Sequence, residues 1–205
     1  MYTDDRDLLR FAPTIFRDAA WLGQRLFRGN VSVAGAVLTA PADVNFAAAG
    51  VRPGGVVVVA SASYEIISVS GNKLTISRPR ASRADPIIPP TPAAGVEAII
   101  HTFRPQIAAV EPSVLRDAGL DAAGAPAKVL NPDDLSEVVS LRAILLICAT
   151  AGEGGAGTDW ERRRLEYYLS LEHRATRSVS VLLDLNGDGI AEEVRSLVSL
   201  RLVRG

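Results

Sequence analysis

Apolar residues recur every third or fourth position at the start of the chain, then alternate, then return to helical spacing, and this change of period divides the sequence. In the opening stretch Ile15, Phe16, Ala19, Leu22 and Leu26 make one apolar face, which predicts helix over about 4–28. Thr3, Asp4 and Asp5 supply capping oxygens and negative charge where a helix start favours them. Pro13 suits the first turn of a second helical segment, and Gly29-Asn30 tolerates the left-handed backbone that ends one.

From residue 31 to about 105 the signals are those of strands. Val56 to Val59 is a β-branched run introduced by Pro53-Gly54-Gly55. Tyr64 to Val69 and Lys73 to Ser77 flank Ser70-Gly71-Asn72, whose residues suit a tight hairpin, and a further strand is expected at Val96 to Phe103. Between them Ala81 to Gly95 carries Pro86, Pro89, Pro90 and Pro92, so it reads as an extended arm or exposed loop.

Helical spacing then resumes. A short segment is expected from Glu111 to Gly119. Asn131-Pro132-Asp133-Asp134 is a helix start with cap, proline and first-turn acids in order, opening an apolar helix to about Ala151. Thr158 and Glu161 form a capping box for a last helix over about 159–176. Val179 to Asp184 and Arg195 to Val203 read as two strands around a glycine turn. The expected fold is α+β, a small α-helical bundle with an inserted antiparallel β-module and a C-terminal β-hairpin. Residues 1–30 and 106–205 would form the frame and 31–105 the insertion.

Composition narrows this picture only slightly. Apolar residues are 48% and charged residues 22% of 205, ordinary for a globular chain. A net charge of −1 supplies no bulk field for nucleic acid or anionic membrane. Of 22 basic residues only Lys73 and Lys128 are lysines, and arginine-rich surfaces favour bidentate contacts with carboxylates. Cys148 is the only cysteine, which excludes a disulfide framework and a thiolate-built metal centre within one chain. Neither a signal-peptide pattern nor an apolar run of membrane-spanning length is visible, so a cytoplasmic origin is expected.

Few residues suggest chemistry. Asp184-Leu185-Asn186-Gly187-Asp188-Gly189 has the alternating oxygens of a calcium loop, with Glu192 as a further ligand. The twelfth position, where an EF-hand needs glutamate, is Arg195, and the flanks read as strands, so an EF-hand is excluded. A calcium loop between strands and a plain tight turn remain as alternatives. Gly152 to Thr158 lacks the lysine of a phosphate loop and follows a helix where a strand is required. His101 and His173 have no partner at metal-ligand spacing, and no serine or cysteine sits in a nucleophile setting. Arg162, Arg163 and Arg164 read as a solvated or protein-facing helix edge.

The opening DLLRFAPTIFRDAAWLGQRL resembles the start of head–tail connector (neck or adaptor) proteins of tailed bacteriophages. RPGGVVVVASASYEIISVSGNKLTISRPR resembles a β-module frequent in phage neck and tail components, and LLDLNGDGIAEEVR resembles the C-terminal part of such proteins. The resemblance implies a non-enzymatic virion protein, assembled in the host cytoplasm. It implies a ring, usually twelvefold, joining the portal to the next neck or tail protein and extending the DNA channel without sequence-specific binding. On that basis Leu8, Leu9, Phe16, Arg162, Arg163, Leu200 and Leu202 are expected at interfaces. The alternative is a calcium-dependent binding module, tail-associated or secreted, using Asp184, Asn186, Asp188 and Glu192.

Overall fold

The computed structural model describes residues 2–20, 23–120, 129–152 and 159–197. The chain forms two compact units, one of Asp4–Arg104 and one of Met1–Thr3 with Pro105–Gly205.

The first unit is a closed barrel, and it overturns the expectation of a small helical bundle carrying an inserted β-module. Two single-turn helices, α1 (Asp5–Leu8) and α2 (Ile15–Asp18), precede six strands: β1 (Gln24–Ala34), β2 (Val37–Thr39), β3 (Val56–Val59), β4 (Ala62–Ser70), β5 (Lys73–Ser77) and β6 (Ala93–Thr102). Their order around the barrel is β1-β2-β5-β4-β3-β6, every recorded pairing is antiparallel, and β6 returns to β1. Closure removes the exposed edges that an open sheet would present. The interior is filled by Val31, Val33, Leu38, Phe46, Val57, Ile66, Leu74, Ile76 and Ile100, among others. Val56 and Val57, adjacent in sequence and so facing opposite ways, are both wholly buried, and α2 lies against β3.

In place of the expected helix over 4–28 there are two single turns, the second ending at Asp18, and the last five residues of that span, 24–28, are the start of β1. A register shift between Arg25 and Phe27 leaves Leu26 and Phe27 both half-buried against the barrel core, which hides the two-residue period. Gly29 ends no helix. A Cβ there would lie 3.0 Å from the tip of the Phe27 ring, so glycine makes room for that ring inside the strand. The β4–β5 hairpin turns at Gly71-Asn72, with Gly71 at φ +57°. The β3–β4 turn uses Ala60 and Ser61 at φ +47° and +69°, a left-handed pair without glycine.

The proline-rich segment is not a free arm at its base. Ile88 and Arg78 pair through the backbone at 2.9 Å, and Ser82 and Asp85 close a local turn at 2.8 Å. The Arg80 guanidinium donates to the carbonyls of Arg83 and Asp85, and Arg83 pairs with Asp4 at 2.7 Å. Ile87 and Ile88 stay exposed.

The second unit holds α3 (Arg104–Asp117, whose first residue closes the barrel unit), α4 (Pro132–Gly152), α5 (Asp159–Ser178) and the hairpin β7 (Ser180–Leu183) with β8 (Glu193–Ser196). The segment expected from Glu111 begins earlier, at Arg104, and runs through Pro112. Arg142 on α4 ties the helices together, pairing with Asp117 at 2.6 Å and Glu172 at 2.8 Å. Asn131 does more than precede α4. Its Oδ1 accepts from the Leu182 N–H at 2.8 Å while its Nδ2 donates to the Ser180 carbonyl at 2.7 Å, so a side chain pairs with β7 as a strand would. No helix among the described residues is long and apolar enough to cross a membrane.

Candidate functional site: the C-terminal hairpin loop

The loop between β7 and β8 is organised from Asp184 outward. Asp184 is buried, and its carboxylate accepts the N–H groups of Gly187 at 2.5 Å and Gly189 at 2.9 Å. The Gly189 N–H above all, with those of Gly187, Asn186 and Asp188, holds this carboxyl below the ordinary range despite the opposing effect of burial. Gly187 and Gly189 sit at φ +84° and +83°, which is why the turn uses glycine at those two places. Asn186 accepts from the Asp188 N–H at 2.9 Å, and Asp188 from the Ile190 N–H at 2.8 Å. Glu192 reaches back to the Leu185 N–H at 2.6 Å.

These bonds bring one carboxylate oxygen each from Asp184, Asp188 and Glu192 within 4.8 Å of one another. No ion pair joins the three to a basic side chain among the described residues. A concentration of hard oxygens suits a divalent cation such as calcium. Asn186 shares the loop, with its Nδ2 donating to Asp188 at 3.1 Å. Arg195, the residue at the twelfth position, turns to Glu193 at 2.8 Å and to the Gly119 carbonyl. The loop surface from 185 to 192 is exposed throughout, including Leu185 and Ile190, and Val194 on β8 is exposed as well.

Leu8, Leu9 and Phe16, expected at an interface, are buried at 0%, 2% and 1% exposure. Phe16 packs on Phe103 with ring centroids 5.0 Å apart and the planes tilted by 57°, so these side chains serve the chain's own interior. Arg163 is exposed on α5. The Arg162 side chain, Leu200, Leu202, the glycine-rich 153–157 and Thr158 lie outside the described residues. His101 is buried on β6, and burial, with Arg25 nearby, lowers its pKa. His173 is exposed, 3.9 Å from Glu172. Cys148 is half-buried, and that burial pushes its thiol pKa up, against a nucleophilic role.

Sequence reading missed the charged groups inside the barrel unit. Glu65, 1% exposed, pairs with Arg80 through one oxygen and with Arg6 at 2.9 Å through the other. Asp5 is 1% exposed, and its carboxylate accepts the Phe103 N–H at 2.8 Å. Burial pushes the Asp5 pKa up to about 6, against the lowering effects of Thr102, the Phe103 N–H and Arg104. The signal for Glu65 was an acid set between apolar residues in the middle of a strand pattern.

The fold thus defines a two-unit protein, a closed six-stranded barrel and a helical unit ending in an acidic hairpin. Comparison with models of known protein families, with curated proteins and with solved structures finds no match.

Proposed function

We propose that this chain is a structural, non-enzymatic subunit of a tailed-phage virion. It would form an adaptor ring between the portal of the DNA-filled head and the neck or tail, extending the DNA channel. The observation that carries this reading is the apolar surface left bare on the terminal hairpin. Leu185, Ile190 and Val194 are 50%, 66% and 62% exposed around a loop with no positive charge of its own. Exposed apolar residues beside charged ones, here within ten residues of chain, are a feature of protein-binding surfaces. The resemblance of the C-terminal segment supports the same reading, whereas the opening helices contribute to the barrel unit instead.

The test is the native mass of the purified protein, alone and mixed with a candidate portal. A discrete ring, free or seated on the portal, is the expected result. A monomer indifferent to the portal overturns it.

A second reading is favoured by the three convergent carboxylates: a calcium-dependent binding module built on the loop of Asp184, Asn186, Asp188 and Glu192. Calcium at a hundredfold over its Kd would then stabilise the fold by about 2.7 kcal/mol, raising the melting temperature, and Asp188→Asn would cancel the rise. An unchanged melting curve with calcium and with chelator identifies a plain turn.

A further inference from the structure

We propose that the exposed stripe of α5 is the docking surface for the hairpin loop of a second copy of this chain, giving a head-to-tail contact. This inference rests on the adaptor reading, and names the surfaces that would build its ring.

The stripe follows from helical spacing. Arg163, Tyr167, Ser170, Arg174 and Arg177 are separated by four, three, four and three residues, which places them on one side of the helix. All five are exposed, and the stripe is about 21 Å long at 1.5 Å per residue. Tyr167 leaves 57% of its surface in solvent. No carboxylate forms an ion pair with Arg163, Arg174 or Arg177 among the described residues. Ser170, Arg174 and Arg177, with His173 and Ser178, line a shallow surface depression of about 570 Å³.

The loop offers the complement. Asp188 and Glu192 are exposed carboxylates with no arginine partner among the described residues, close in sequence to the bare Leu185, Ile190 and Val194. Guanidinium groups bind carboxylates through paired hydrogen bonds, and a tyrosine ring beside them suits apolar side chains. The chain as a whole carries a net charge of only −1, so these opposite patches are local features of two elements. Complementary patches of this kind set orientation and encounter rate at protein interfaces. Because the two surfaces differ, the contact is heterologous, and such contacts close into rings or extend as filaments. The mixture of arginine, tyrosine and apolar contacts favours a protein occupant over a nucleic-acid backbone.

The experiment uses the full chain in chelator, with sedimentation measured alone and on the portal. Arg174→Glu with Arg177→Glu makes one variant, and Asp188→Arg with Glu192→Arg makes the other. All four positions are exposed, and circular dichroism checks that each variant is folded. Each variant alone should associate about tenfold more weakly or worse than the parent, and an equimolar mixture should recover association, since each reversed surface meets a reversed partner. Parent-like assembly of either variant, or a mixture no better than its parts, overturns the interface. Loss of duplex-DNA binding with unaltered association also overturns it, in favour of a nucleic-acid face. Portal-seated rings that ignore both variants would overturn this contact while leaving the adaptor reading intact. A parent chain that neither self-associates nor binds the portal removes both.

Discussion

Replacing Glu65 by alanine is expected to destabilise the barrel unit by about 3–5 kcal/mol, the usual effect of leaving buried charges without their partner. Arg6 and Arg80 are 7% and 9% exposed, and both guanidinium groups turn to this one carboxylate. Without it, the Arg80 charge would remain inside with only backbone carbonyls to meet it, and Arg6 would keep only its longer carboxylate contact, with Asp7 at 3.6 Å. Arg6 donates to the Arg80 carbonyl at 3.2 Å, and Arg80 to the carbonyls of the proline-rich segment. Urea unfolding followed by circular dichroism measures the loss, and a change below about 1 kcal/mol would contradict this account of the triad. Apolar replacement of all three residues should recover most of that stability, because none of their three charges is then left buried without a partner. It should also loosen residues 81–92, whose base Arg80 holds, and limited proteolysis would detect that loosening.

Asp5 predicts a pH dependence of opposite sign to that of a salt-bridged acid. Its folded pKa of about 6 lies above the ordinary 3.8, so between those values the folded chain keeps a proton that the unfolded chain releases. The contribution of Asp5 to stability is then greatest below pH 4, falls as pH rises toward 6, and levels off above. The span between 3.8 and about 6 corresponds to about 3 kcal/mol at neutral pH. Asp5→Asn keeps an oxygen to accept the Phe103 N–H at 2.8 Å and removes the buried charge. The variant should exceed the parent in stability at pH 7 and lose this advantage toward pH 4. Parallel stability–pH curves for the two proteins would show that Asp5 does not titrate this way.

The missed elements share a cause. Gly29 looked like a helix stop because glycine has that role locally, and only the Phe27 ring lying over it shows why it stands inside a strand. Leu26 and Phe27 broke the alternation of β1 through a bulge, so helical spacing seemed to continue from α2. The segment expected to start at Glu111 is part of the longer α3, with Pro112 inside the helix. Ser70-Gly71-Asn72 and the Asp184 loop were legible because their backbone geometry and hydrogen bonds close within a few residues. The interface expectation for Leu8, Leu9 and Phe16 failed to anticipate burial, since an apolar stripe looks the same whether a partner or the chain itself covers it.

What the sequence by itself determined were features set by neighbours along the chain: the β-rich middle, the hairpin at Gly71, the helices at Pro132–Gly152 and Asp159–Ser178, and the acidic turn. Tertiary structure decided barrel closure, since β6 pairs with both β1 and β3 across long stretches of chain. It also decided that residues 4–18 join the barrel unit, that Glu65 is shared by two arginines, and that Asp5 holds its proton toward neutral pH. Local backbone preference acts over a few residues, whereas strand pairing and the burial of charge depend on residues that only folding brings together.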